Sequence, residues 1–134
     1  MSQEKFELKD ILGNLKPRIL EGSFVFTTSN DELVHLMKTF KPIATFREEE
    51  GITLVISKDE ADKFNIKYDS LFCCISLGVH SSLNSYGLIS SISSELTKKK
   101  ISSNVFSGFY HDHIFVQADL ADTAIQVINS LDHS

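Results

Sequence analysis

One supersecondary unit is written twice in this chain, and that repeat limits what the chain can fold into. Ser103–Ala118 reads as a strand, a tight polar turn and a second strand. Ile43–Ser57 reads the same way, with Glu49-Glu50-Gly51 standing where Tyr110-His111-Asp112 stands in the later copy. An acidic, alanine-containing helix start follows each hairpin: Lys58-Asp59-Glu60-Ala61 in the first, Asp119-Leu120-Ala121-Asp122 in the second. Half of a 134-residue chain buries too little apolar surface to stand well by itself. The two copies are therefore expected to share a core or to dimerise.

Taken in order, the chain begins with apolar residues at helical spacing, Phe6, Leu8, Ile11 and Leu12, which predict a helix over Lys5–Gly13 stopped at Gly13-Asn14. Lys16–Leu20 is extended, because Pro17 disfavours helix in the residue before it. Ser23–Thr28 is rich in aromatic and β-branched residues and predicts a strand. Ser29-Asn30-Asp31 offers N-caps to a helix over Glu32–Phe40, whose face is Leu33, Leu36, Met37 and Phe40. The first hairpin and a short helix from Lys58 to about Phe64 follow. Ser70–Val79 is apolar enough for a buried strand. A polar turn, His80–Ser85, leads into a helix ending near Lys99, with Leu88, Ile89, Ile92 and Leu96 on one stripe and Gly87 in its first turns. Glycine inside a helix costs ~1 kcal/mol against alanine, so it suggests close approach by another group or close packing on the sheet. After the main hairpin, Asp119 is expected to cap a last helix, Asp119–Leu131.

The order strand, helix, strand, strand, helix, used twice, is a ferredoxin-like plan. It predicts an α+β fold of two βαββαβ repeats, antiparallel sheets with helices on one face. The expected division is an N-terminal repeat over 1–68, carrying the extra helix and strand, and a C-terminal repeat over 69–134. Nothing remains after the last helix to supply a fourth strand to the second sheet. Lys16–Leu20 is the spare piece, and is expected to complete that sheet.

A net charge of −5 argues against a nucleic-acid binder, which needs a basic face. The basic run Lys98-Lys99-Lys100 suits the C-terminal turn of a helix. The polar N-terminus lacks the apolar core of a signal peptide, and no apolar run reaches the ~18 residues that span a bilayer. Cys73 and Cys74 are adjacent, so they face opposite sides of a strand and cannot staple distant segments. Two buried free thiols in a reducing, cytoplasmic compartment is the expectation.

Glu50-Gly-Ile-Thr-Leu-Val, Val79-His-Ser-Ser-Leu, Gly87-Leu and His111-Asp-His-Ile-Phe-Val, in that order and spacing, resemble the small bacterial proteins with two tandem ACT domains. Those are similar to the ACT pairs of cytosolic arginine sensors and aspartokinases. The resemblance covers nearly the whole chain. It implies ferredoxin-like regulatory modules that bind amino acids at interfaces between paired domains. It implies a site in the loop and helix start after the repeat's first strand and in the facing second strand, here Ser81–Leu88 and Asn104–Asp112. The chain departs from the family pattern at Gln117, where a proline commonly follows the strand, and in the serine-rich helix after Gly87.

The residue types fit such a pocket. A helix N-terminus offers free N–H groups and about half a positive charge to a ligand carboxylate. Gly87 and Gly108 permit close backbone approach, beside Leu88 at the helix start. Asp112 would pair with a ligand ammonium; Ser82, Asn84, Asn104 and Ser107 offer neutral hydrogen bonds, and Phe109 an apolar wall. The plainer alternative is that Ser82 and Asn84 only cap a helix and Asp112 only shapes a turn.

Three other readings compete. His111 and His113 would share one side of a continuous strand, with Asp112 or His80 as a further metal ligand, but zinc needs three or four protein ligands. Ser81 or Ser82 with His80 or His113 and Asp112 could suggest hydrolysis, yet no GxSxG elbow exists. The chain could also be a pure interaction module that dimerises and binds no small ligand. Scattered glycines form no phosphate-binding loop. The favoured expectation is a non-enzymatic binder of a small amino acid, a homodimer without cofactor, metal, nucleic acid or membrane partner.

Overall fold

The computed structural model describes residues 12–80 and 82–131. Its elements are β1 (Pro17–Ile19), β2 (Phe24–Ser29), α1 (Leu33–Thr39), β3 (Ala44–Glu48), β4 (Gly51–Ser57) and α2 (Lys58–Lys63). There follow β5 (Phe72–Leu77), α3 (Leu88–Lys98), β6 (Asn104–Ser107), β7 (Asp112–Gln117), a 3-10 turn (Ala118–Leu120) and α4 (Ala121–Ser130). The helix expected over Lys5–Gly13 lies almost entirely outside the described residues. Strand, helix, strand, strand, helix occurs twice, and the fold is α+β with two ferredoxin-like repeats. The chain forms two compact units, Glu21–Phe72 and Met1–Leu20 together with Cys73–Ser134.

In the smaller unit β4 lies between β3 and β2, antiparallel to both. Alternate residues of β4, Leu54 and Ile56, join Val25, Leu36 and Ala61 in its core. The helix α1 is shorter than its apolar pattern predicts. Phe40 has extended backbone and ends it, so the position seven residues after Leu33 is no longer helical. Leu36 is buried, but Met37 is 52% exposed. Nor do Ser29–Asp31 cap it as expected. The N-cap is Glu32, without a side-chain cap bond, and Asp31 instead accepts from the Glu32 N–H at 2.8 Å and bonds His35 at 3.2 Å.

At α2 the cap is Ser57, whose hydroxyl accepts from the Glu60 N–H at 3.1 Å. Replacing Ser57 by alanine leaves that donor without its cap and is expected to cost ~1 kcal/mol. A thermal melt of Ser57→Ala should fall by a few degrees; an unchanged midpoint would show that water satisfies the helix start equally well.

In the larger unit the strand order is β1-β5-β7-β6. β1 pairs antiparallel with β5 through Pro17↔Leu77, Arg18↔Ser76 and Ile19↔Ile75. The Leu20 N–H continues the ladder to the Cys74 carbonyl at 2.9 Å. The fourth strand that the second repeat lacks in sequence thus comes from the chain's beginning, as the strand count predicts. One face of this sheet carries both long helices. Leu88, Ile92 and Leu96 of α3 and Ala121, Ala124 and Ile128 of α4 share one buried cluster with Leu15, Ile75, Leu77, Ile114 and Val116.

Two helix starts differ from expectation. Gly87 is not inside α3 but is its N-cap, with φ 99° in the left-handed region. It is there because an L side chain is strained at that φ, and it costs the helix nothing. Asp119 does not cap α4. The chain first passes through the 3-10 turn, and the cap position falls to Leu120, which makes no side-chain cap bond. At the other end of α3, Lys98 closes the helix, Lys99 is its C-cap and Lys100 has φ 59°, which places the basic run at the negative end of the dipole.

The two hairpins pair in the same register. Thr45↔Leu54 and Arg47↔Ile52 of the first correspond to Val105↔Ile114 and Ser107↔Asp112 of the second, so Glu49-Glu50-Gly51 stands where Phe109-Tyr110-His111 stands, one residue earlier than the sequence alone suggests. The corresponding positions therefore carry different chemistry: Arg47 and Ile52 in the smaller unit, Ser107 and Asp112 in the larger.

Candidate functional site

Strand alternation decides which side chains of the second hairpin reach the helices. Ile114 and Val116 of β7 enter the core, so Asp112 shares their face and His113 and Phe115 take the other. Val105 of β6 packs against the same core, so Ser107 shares its face. Ser107 and Asp112 are directly opposed across the ladder. They stand at the end of the sheet nearest the start of α3.

A surface hollow of about 280 Å³ opens there. Its walls are Ser82, Leu83, Ser85 and Tyr86 from the loop after β5, Gly87 to Ser90 from the start of α3, and Ser107 with Asp112 from the hairpin. Because Gly87 has no side chain to cap the helix, the first N–H groups of α3 carry the partial positive charge of the helix end without a capping oxygen from that residue. The hollow therefore pairs a donor-rich wall with a carboxylate, and fills the space between with hydroxyls and apolar groups.

Of the residues that the sequence singles out, Ser82, Gly87, Leu88, Ser107 and Asp112 line this hollow. Asn84, Asn104, Gly108 and Phe109 do not. Asn84 is exposed, and its N–H donates to the Ser82 hydroxyl at 3.1 Å; this pair shapes the loop and does not cap α3. Asn104 alternates with Val105 and so points to the opposite face, where its amide donates to the Phe115 carbonyl at 3.3 Å. Phe109 is 73% exposed at the hairpin tip, edge to face with Tyr110 at 5.1 Å between ring centroids. Gly108 opens the turn, and a Cβ there would stand 3.0 Å from the His111 carbonyl oxygen. Leu83, Ser85 and Tyr86, within the stretch that the resemblance implies though not assigned individual roles, also line the hollow, as do Ile89 and Ser90 beyond it; Leu83 and Tyr86 stand out in the sequence as apolar residues in an otherwise polar loop.

The histidines do not act as a strand pair. His111 lies in the turn before β7, and its Nδ1 bonds the Val79 carbonyl at 3.2 Å. Among the described residues no three or more of His, Cys, Asp and Glu gather where they could hold a metal ion. Cys74 is buried, and desolvation, with Cys73 adding to it, pushes its thiol up to about 12. Burial also raises the half-buried Cys73, with Asp122 contributing. Both stay protonated at neutral pH, which suppresses thiolate chemistry.

His113 is half-buried, and its Nδ1 is shielded from solvent without a hydrogen-bond partner among the described residues. Desolvation holds the imidazole below its ordinary range. His111 and Arg18 push the same way and Asp112 opposes. A histidine lowered on folding binds more protons when unfolded, so stability falls as pH drops through its unfolded value and levels off below the folded one. The melting midpoint is expected to decline from pH 7.5 to 5.5, less steeply in His113→Gln. Parallel profiles for the two chains would refute this.

Models of the ACT domain match residues 5–73 and 70–130. The chain belongs to the ACT domain family. ACT domains are regulatory modules, and this chain carries two in tandem. A crystal structure from Vibrio cholerae, of a protein of unknown function described as a possible transport protein, is similar. It shares 39% identity over 93% of this chain and 95% of its own, with a TM-score of 0.83. An Agrobacterium tumefaciens protein has the same fold at 17% identity, covering 87% of each chain with a TM-score of 0.71. Clostridium acetobutylicum aspartate kinase contains it too, at 13% identity over 87% of this chain and 33% of the kinase, TM-score 0.64. No curated protein matches the tandem ACT chain in sequence. Among its described residues no helix is long and apolar enough to cross a membrane.

Proposed function

We propose that this tandem ACT protein is a non-catalytic, cytoplasmic regulatory module that binds a free amino acid and works as a homodimer. The observation that supports this best is the hollow at the glycine-capped start of α3, facing Asp112 across the end of the sheet. An amino acid presents a carboxylate and an ammonium on one carbon. The helix start suits the first and Asp112 the second. Occupancy would tie the loop after β5 to the hairpin and so favour one conformation of the unit, which a partner protein then reads.

Thermal melting with each free amino acid tests this. A ligand at ~100 times its dissociation constant adds ~2.7 kcal/mol, which at this chain length raises the midpoint by several degrees. A flat response to all of them would leave the second reading, an interaction module without a small ligand. The exposure of Leu83, Tyr86, Phe109 and Tyr110 favours that reading, since large apolar groups grouped on loops often mark a protein contact. Analytical ultracentrifugation decides the dimer.

A further inference from the structure

We infer that the hollow selects a neutral amino acid, one with no charge on its side chain, and that each chain holds one such ligand; the inference rests on the amino-acid reading above. It follows from the charge of the walls. Among the described residues lining the hollow, Asp112 is the one acidic side chain, and none is Lys, Arg or His. An amino acid's own ammonium uses that carboxylate, and its own carboxylate uses the uncapped N–H groups of α3. The remaining walls are the hydroxyls of the serines and the apolar surfaces of Leu83, Leu88 and Ile89. A second carboxylate on the ligand would meet Asp112 with like charge and find no cation. A cationic side chain would compete with the ligand's own ammonium for one acid. The first arrangement is repulsive, and in the second the extra charge gains no acid of its own from the walls. The volume, about 280 Å³, lies just below the ~300–1,000 Å³ usual for small-molecule sites, which suits a single small ligand.

The single site per chain follows from the shared register of the hairpins. Where the larger unit has Ser107 opposite Asp112, the smaller has Arg47 opposite Ile52. The carboxylate that would take the ammonium is replaced by an aliphatic side chain. The helix there, α1, is seven residues long and starts from Glu32 rather than glycine. The smaller unit is thus built without the ammonium acceptor.

Isothermal titration of the full chain at neutral pH, with the free L-amino acids one at a time, tests the inference. At least one neutral amino acid should bind, one per chain, at least tenfold more tightly than aspartate, glutamate, lysine or arginine. Its N-acetyl derivative, which lacks the ammonium, should bind at least tenfold more weakly. Asp112→Asn should weaken the neutral ligand tenfold or more and narrow its margin over glutamate. Ser107→Asp, which adds a second acid at an exposed position, should narrow the margin over lysine; the unliganded melting midpoint of each variant checks that it folds. A charged amino acid that binds as tightly as any neutral one overturns the selectivity and leaves amino-acid binding intact. Two ligands per chain overturn the single site. No binding by any amino acid overturns both this inference and the function on which it rests.

Discussion

A chain that begins at Glu21 is expected to lose the cooperative melting of its larger unit. The missing segment contains Leu15, which is 0% exposed, and Leu12 and Ile19, which pack against the same core. Removing a buried leucine alone costs ~2–5 kcal/mol. The segment also carries β1, paired residue for residue with β5. The Gly78 N–H bonds the Leu15 and Lys16 carbonyls at 2.9 and 3.1 Å. Without them Ile75, Ser76 and Leu77 of β5 lose their partners on one side and leave a row of unpaired groups, and α4 loses one of the strands it packs on. Together these losses approach the ~5–15 kcal/mol that holds a typical domain folded. Hydrogen exchange should show the amides of β5 and β7 unprotected in the truncated chain, while β2 and β4 of the smaller unit keep their protection. A truncated chain that retains protection in β5 would mean that β1 is dispensable.

Ile92→Ala should lower stability by ~2–5 kcal/mol, a fall in midpoint of roughly 6–20 °C for a chain of this size. Ile92 is 1% exposed and is the middle residue of the stripe that seats α3. The cavity left by its side chain cannot close while Leu88 and Leu96 hold the helix above and below it. The start of α3 forms one wall of the hollow, so ligand affinity should fall with stability. Asp112→Asn is expected to separate the two effects, losing affinity without a comparable loss in midpoint. Ser94→Ala, on the exposed side of the same helix, should stay within ~0.5 kcal/mol of the parent. A midpoint for Ile92→Ala within that range would show that α3 is not seated by this stripe.

Much of the candidate site was legible before the structure, because its parts are local. Leu88, Ile89, Ile92 and Leu96 mark the stripe of a helix that begins soon after the polar loop at 80–85. Asp112 two residues before Ile114 marks a position on the core face of a strand. The same period of two would have removed Asn104, since Val105 and not Asn104 shares the face of the core; reading the hairpin as a block concealed that alternation. Asn84 and Phe109 carry suitable chemistry but lie in a loop and a turn, where no period tells which way a side chain points.

The repeat, the order of elements, the buried stripes of α3 and α4 and, through the strand count, the place of Lys16–Leu20 are all written in the linear chain. These depend on periodicities of two or of about 3.6 residues, which neighbouring positions reveal. The folded chain adds the register of β1 on β5, the left-handed conformation that places Gly87 outside the helix, and the 3-10 turn that takes the cap from Asp119. It alone brought the loop at 82–86 beside Ser107 and Asp112. Contacts between residues so far apart in the chain form only when the whole core is buried at once, and no local pattern encodes that.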